Sequence, residues 1–185
     1  EAGFFSPQKA LNERTAETYG VARARLHHDF HSFLEKEKKN LDAVSILSPT
    51  PLHKSMVEDC LRVGIPVICE KALAVSSRDI LEIESCRSKT RGFLAVIYNY
   101  SGYPMVREMR RLIRTGKLGK ILHFQAEMPQ EGYMRTDSEG RKPKVQSWRL
   151  RDGAVPTIHL DLGVHLHQLI RYLTGLKPRE VVADQ

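Results

Sequence analysis

The sequence predicts an α/β fold, with a parallel sheet in its first part followed by part of a second α/β domain. Three observations carry that expectation. Short, apolar, β-branched runs alternate with helix-length segments from 42 to 98, the rhythm of βαβ units. Those runs are continuous in hydrophobicity, as in strands buried on both faces of a parallel sheet. After Tyr100 the rhythm stops, and a long polar stretch over 128–156 shows little periodicity. A boundary near Ser101 therefore divides the 185 residues into an N-terminal domain, 1–100, and a C-terminal one, 101–185.

Taken in order, "AGFFS" (2–6) is the tail of a strand. Ser6 caps the helix that follows, Pro7 suits its first turn, and Ala10, Leu11 and Ala16 fall near one face. Gly20 ends it, as a residue tolerant of the left-handed conformation should. An extended piece over 21–26 leads to a helix from Phe30, with Phe30, Phe33 and Leu34 on one side. "HHDFH" (27–31) is its start, with Asp29 near the cap. "DAVSIL" (42–47) is a buried strand, and a helix from Pro51 is stopped by Gly64. Next come the strand "PVIC" (66–69), a helix over 77–89 and the strand "FLAVIY" (93–98). Right-handed crossovers would bring these strand ends to one edge. The second domain predicts a helix over 103–115 ending at Gly116 and a strand "ILHFQAE" (121–127). A helix ending at Gly175 and a strand starting in "EVVA" (180–183) complete it.

Composition narrows the function classes. The 29 basic and 22 acidic residues give a net charge of +7, spread along the whole length rather than gathered on one face. That argues against a nucleic-acid interface, which wants a basic stripe with stacking aromatics. The three cysteines have no C-x-x-C spacing and sit among apolar residues, as reduced, buried thiols do. No apolar run is long enough to span a bilayer and no signal peptide is visible, so a cytoplasmic protein is expected. The first residue is Glu1, and the chain is expected to begin part-way through a larger protein.

Candidate chemistry gathers at the strand ends. In "SPTPLH" (48–53), Ser48 or Thr50 can cap a helix, either as an ordinary turn or with backbone N–H groups turned to an anion. His53 lies in that first helical turn. The second strand ends in Glu70 and Lys71, a solvated strand end or a working pair. The third ends in Tyr98, Asn99 and Tyr100, and doubly wound sheets bind ligands at this edge. In "HLDLGVHLHQ" (159–168), Asp161 and His165 are four apart and share a helix face, so the carboxylate can orient the imidazole. His165 and His167 diverge on a helix, so the group with His159 and Asp161 is not read as a metal site. Trp148 and Arg149 are either the rim of the core or a lid over a substrate.

The ordered set "DAVSILSPTPLH", "GIPVICEKALA", "YNYSGYPMVREMRRLIRTGKLGKI", "SWR" and "LDLGVHLHQLIRYLTG" resembles the Gfo/Idh/MocA family of NAD(P)-dependent oxidoreductases over nearly the whole chain. The resemblance implies a Rossmann-like domain, then an α/β domain carrying the substrate site and often the oligomer interface. It implies hydride transfer between NAD or NADP and a sugar- or cyclitol-like hydroxyl or ketone. By position, Ser48, Pro49, Thr50 and His53 resemble the cofactor-contacting turn, with Asn99 on the cofactor side as well. Glu70 and Lys71 resemble a Glu-Lys-Pro motif whose lysine meets the nicotinamide side and the substrate hydroxyl; they then read as a working pair. Asp161 and His165 resemble an Asp-x-x-x-His pair with histidine as proton acceptor, and Tyr98, Asn99, Trp148 and Arg149 would line the pocket.

The sequence departs from the family at Ala72 (usually proline), Thr50 (commonly asparagine) and Gln168 (often aspartate). No G-x-G-x-x-G occurs, so an internal fragment is expected, lacking the Gly-rich first βα unit and most of the C-terminal sheet. "FFSPQK" offers Ser6 and Lys9 but no acid for a ribose, which favours NADP. Such a fragment is expected to lack turnover and to form a homo-oligomer that covers its open strand edges. The competing class is a non-catalytic nucleotide- or sugar-binding relative acting through a protein partner.

Overall fold

A strand needs a neighbour for its backbone groups, whereas a helix closes its own hydrogen bonds, and this asymmetry shapes the two halves differently. The computed structural model describes residues 1–4, 6–132 and 134–182. The chain divides into two units, 1–96 and 97–185.

In the first unit, Gly3 forms a parallel bridge with Leu26, its N–H donating to the Arg25 carbonyl at 3.1 Å. Phe5, part of the expected strand tail, lies outside the described residues. Helix α1, Lys9–Thr18, starts later than Ser6 implies, because the Ser6 hydroxyl instead accepts from the Gln8 N–H at 3.1 Å. Its buried face is Asn12 and Ala16, while Leu11 stays exposed. Asn12 is drawn inward because its amide donates to the His27 carbonyl at 2.6 Å. Gly20 then takes φ +67°, the left-handed turn expected of it. Helix α2, Phe30–Glu37, is capped by Asp29, which accepts from the Ser32 N–H at 2.7 Å. Its last residue, Glu37, is buried, with Arg25 Nη2 2.6 Å and His27 Nε2 3.0 Å from its carboxylate. The Arg25 and His27 bonds hold this carboxyl down at about 2.

Three strands, β1 (Val44–Ile46), β2 (Val67–Glu70) and β3 (Leu94–Ile97), form a parallel sheet in the order β1-β2-β3, with Val44 opposite Val67 and Ile46 opposite Cys69. Helices α3 (His53–Arg62) and α4 (Ser77–Thr90) link them; α3 packs on β1 and β2 and against α4. The strands were expected to be buried on both faces, but burial alternates in β1 and β2, and β3 is half-buried throughout. Val44, Ile46, Val67 and Cys69 point into the core, while Ser45 and Ile68 are exposed. The helices cover one face, so only every second residue is enclosed. Burial also pushes the Cys60 and Cys69 thiols up to about 12, keeping them protonated packing groups.

The second unit has a tight turn at Asn99–Gly102, helix α5 (Pro104–Arg114), a short turn at Ser147–Leu150, a π-helical turn at His159–Gly163 and helix α6 (Val164–Thr174). Helices α5 and α6 pack together, with the Arg110 guanidinium 4.2 Å from the Tyr172 ring centroid. Gly175 at φ +74° closes α6. Among the described residues the expected strand over 121–127 does not form and no backbone pairs with it, and Leu122 is 85% exposed. Residues 180–182 of "EVVA" likewise form no strand, and Ala183 lies outside the described residues. Among the described residues no helix is long and apolar enough to cross a membrane.

Candidate active site

Parallel pairing of β1 and β2 brings their carboxyl ends out side by side, so the segments after Ile46 and after Glu70 share one edge of the sheet. After β1 the chain makes a tight turn at Thr50–Leu52 before α3. Neither Ser48 nor Thr50 caps α3, as the sequence led us to expect. The turn takes over that task, with the Leu52 N–H donating to the Pro49 carbonyl at 2.9 Å. The Ser48 hydroxyl instead meets Met56 Sδ at 3.3 Å, Thr50 is buried, and Pro49 stays exposed.

His53 is fully enclosed, at 0% exposure. Its ring nitrogens lie 2.7 Å from the carbonyl oxygens of Ala72 and Ser48. Glu70 and Lys71 are half-buried, so they are not a freely solvated strand end. The Lys71 N–H donates to Glu70 Oε2 at 3.1 Å, and the Lys71–Ala72 peptide is cis. Lys54, one residue into α3, pairs with Asp79 at 3.1 Å and with Glu82, tying α3 to α4 just behind the turn.

The second unit assembles another part of the expected set. His165, on the first turn of α6, is buried with its ring edge-on to two tyrosines. Centroid distances are 6.0 Å to Tyr98 and 4.6 Å to Tyr100. Burial raises the Tyr98 phenol above its ordinary range, which keeps it protonated. Asp161 lies in the π-helical turn that runs directly into α6, of which His165 is the second residue. Arg149 donates from Nη1 to Asp161 Oδ2. Its guanidinium also sits 4.6 Å from the Trp148 ring centroid. Gln146 Oε1 accepts from Trp148 Nε1 at 2.8 Å and from Arg149 Nε at 3.3 Å.

Arg149 is thus joined to Asp161, with Trp148 beside its guanidinium. Asn99 lies exposed in the turn after Tyr98. Sequence reasoning missed Gln146, whose amide oxygen serves both neighbours; nothing in its spacing marked it. Tyr100, by contrast, was visible as part of "YNY". Among the described residues no group of three or more His, Cys, Asp or Glu is arranged to hold a metal ion.

This chemistry offers a half-buried ammonium at a strand end in one unit. In the other it offers an enclosed imidazole with aromatic walls and a nearby carboxylate–guanidinium pair. Comparisons with known proteins identify the family. The family model described as "Oxidoreductase family, NAD-binding Rossmann fold" matches residues 2–98, and the "GFO/IDH/MocA C-terminal domain" matches 106–185. An uncharacterized oxidoreductase, YfiI of Bacillus subtilis, is 28% identical over 100% of this chain and 48% of its own. Myo-inositol 2-dehydrogenase of Thermotoga maritima is 26% identical over 91% of this chain and 45% of its own. The chain spans about half the length of the curated relatives it matches. A crystal structure of an inositol dehydrogenase homolog complexed with NAD+ from Azotobacter vinelandii shares the fold. Its TM-score is 0.76 at 22% identity, over 94% of this chain and 46% of that one. The chain therefore belongs to the Gfo/Idh/MocA family of oxidoreductases, with its NAD-binding Rossmann-fold part at residues 2–98.

Proposed function

We propose that the protein transfers a hydride between a nicotinamide cofactor and a carbinol or ketone carbon of a sugar- or cyclitol-like substrate. The observation that carries this reading is the Glu70–Lys71 pair, half-buried at the carboxyl end of β2, where open α/β sheets bind ligands. The residues present fit the nicotinamide end of such a cofactor. Ser48, Pro49, Thr50, Glu70, Lys71 and Asn99 would face it, with His53 behind the turn. A G-x-G-x-x-G pyrophosphate cradle does not occur in these 185 residues. When bound, the nicotinamide supplies the hydride acceptor or donor.

The protein's own residues handle charge and protons. Lys71 stabilises the alkoxide that develops as the substrate hydroxyl loses its proton. His165 takes that proton, held in orientation by the tyrosine walls and by Asp161, whose carboxylate Arg149 anchors. Tyr98, Trp148 and Arg149 line the substrate side. Ser6 and Lys9 near the first bridge, with no acid among 5–10, favour NADP over NAD. In this reading residues 1–100 serve the cofactor and 101–185 the substrate and a homo-oligomer contact, the latter checked by light scattering.

The test is a change in reduced-nicotinamide absorbance with a panel of cyclitols and sugars, using the protein as its full reading frame encodes it. Lys71→Met and His165→Ala are each expected to lower turnover by about 10²-fold or more, the scale of acid–base catalysis. No absorbance change with any of the panel would favour a non-catalytic binding relative instead.

A further inference from the structure

We infer that His53 is a positioning residue for Lys71, acting through the carbonyl of Ala72. It is the first residue of α3 and is fully buried, so it presents no surface to a ligand. Its Nδ1 lies 2.7 Å from the Ala72 oxygen, and its Nε2 2.7 Å from the Ser48 oxygen. Ser48 stands two residues past the end of β1, and Ala72 two past the end of β2. Those strands are neighbours in the sheet. One planar ring therefore spans both turns at the edge where the candidate chemistry lies, and one of the carbonyls it meets directly follows Lys71.

The physical reason starts from the carbonyls. A buried carbonyl left without a donor costs about 1–3 kcal/mol. Carbonyl oxygens only accept, so the Ala72 contact is a hydrogen bond when Nδ1 carries a proton, and the Ser48 contact when Nε2 does. A flexible side chain could reach either oxygen from many directions. A rigid ring with a nitrogen on each side fixes how far apart the turns stand. With a proton on Nδ1, the Ala72–Leu73 peptide is held to the first turn of α3, and Lys71 keeps its place with its N–H on Glu70.

This inference rests on the reading of Lys71 as a working residue. Its test therefore measures local geometry in the 185-residue chain rather than turnover, so the two can fail separately. In the unsubstituted chain, a long-range 1H–15N correlation of the imidazoles is expected to show His53 Nδ1 protonated and protected from exchange. An unprotonated Nδ1 overturns the inference. Three variants then separate the two contacts. Asparagine at this position places its amide nitrogen near the site of Nδ1, and glutamine near that of Nε2. Amide exchange at Lys71, referenced to Val67 inside β2, is expected to quicken about 10-fold in His53→Leu, the loss of roughly one buried hydrogen bond. His53→Asn restores the slow rate and His53→Gln does not. Equal rates in the Asn and Gln variants, or no acceleration in His53→Leu, overturn it. Should His53→Leu fail to fold, the imidazole spectrum of the unsubstituted chain decides alone.

Discussion

The segments "PVIC" and "ILHFQAE" carry the same local signal and meet different fates. The first becomes β2 because β1 lies on one side and Phe93 on the other, with the Val67 N–H on the Phe93 carbonyl at 2.9 Å. The second forms no strand among the described residues. The difference teaches that a strand belongs to a pair of segments, whereas a helix belongs to one. Helices α5 and α6 form in a stretch where, among the described residues after Ile97, no strand is present. Burial follows the same division: Ile46, Leu61, Ile83, Val57 and Val67, the largest fully enclosed apolar side chains, all lie in residues 1–96.

That contrast is open to a direct attack at two leucines. Leu61 is 1% exposed and Leu122 is 85% exposed. Leu61→Ala is expected to lose about 3 kcal/mol in urea denaturation. Leu122→Ala is expected to change stability by less than about 0.5 kcal/mol. Similar losses at both sites would mean that the second segment is packed after all.

A smaller effect is expected at Glu37, whose buried carboxylate holds Arg25 and His27. Its folded value of about 2 lies below the ordinary 4.5, so it contributes stability that is fully present above about 4.5. That contribution is lost as pH falls from there toward 2. Glu37→Gln is expected to lose about 2 kcal/mol at neutral pH, for hydrogen bonds to a charged group. It should also flatten the acid limb of the stability profile over that window. An unchanged acid limb would remove Glu37 from the account of the first unit.

Gly92 sharpens the comparison further. A Cβ there would meet Leu61 Cδ2 at 2.5 Å, and Leu61 is enclosed and has nowhere to go. Gly92→Ala is expected to lower stability by about 1–2 kcal/mol. Gly153 has open space around it, so Gly153→Ala should leave the melting temperature nearly unchanged or raise it slightly. A further loss, no larger than that at Gly92, is expected at the α4 cap, where Ser76 accepts from the Asp79 N–H at 3.1 Å. Ser76→Ala should lose about 1 kcal/mol in the same melts.

Much of the first unit, and the end of α6 in the second, was legible in advance. Asp29 as a cap, Gly20 and Gly175 as stops, and the strands at "DAVSIL", "PVIC" and "FLAVIY" are local signals, and the structure honours each of them. The family was legible too, because five motifs in order constrain it more than any one does. The candidate site was legible in residue identity but not in contact. Lys71, Asp161 and His165 were named from motif positions, while Gln146 was invisible.

By itself, then, the sequence determined where helices start and stop, which apolar runs can be strands, and which chemical groups the strand ends offer. These follow from hydrogen bonds and rotamers within a few residues of one another. Only the tertiary structure decided that His53 turns inward to two carbonyls, that Asp161 takes the Arg149 guanidinium, and that β1 and β2 enclose a single face. Each of those joins groups distant along the chain or depends on what packs above a strand, and burial gives a polar group a partner only once the chain has folded around it.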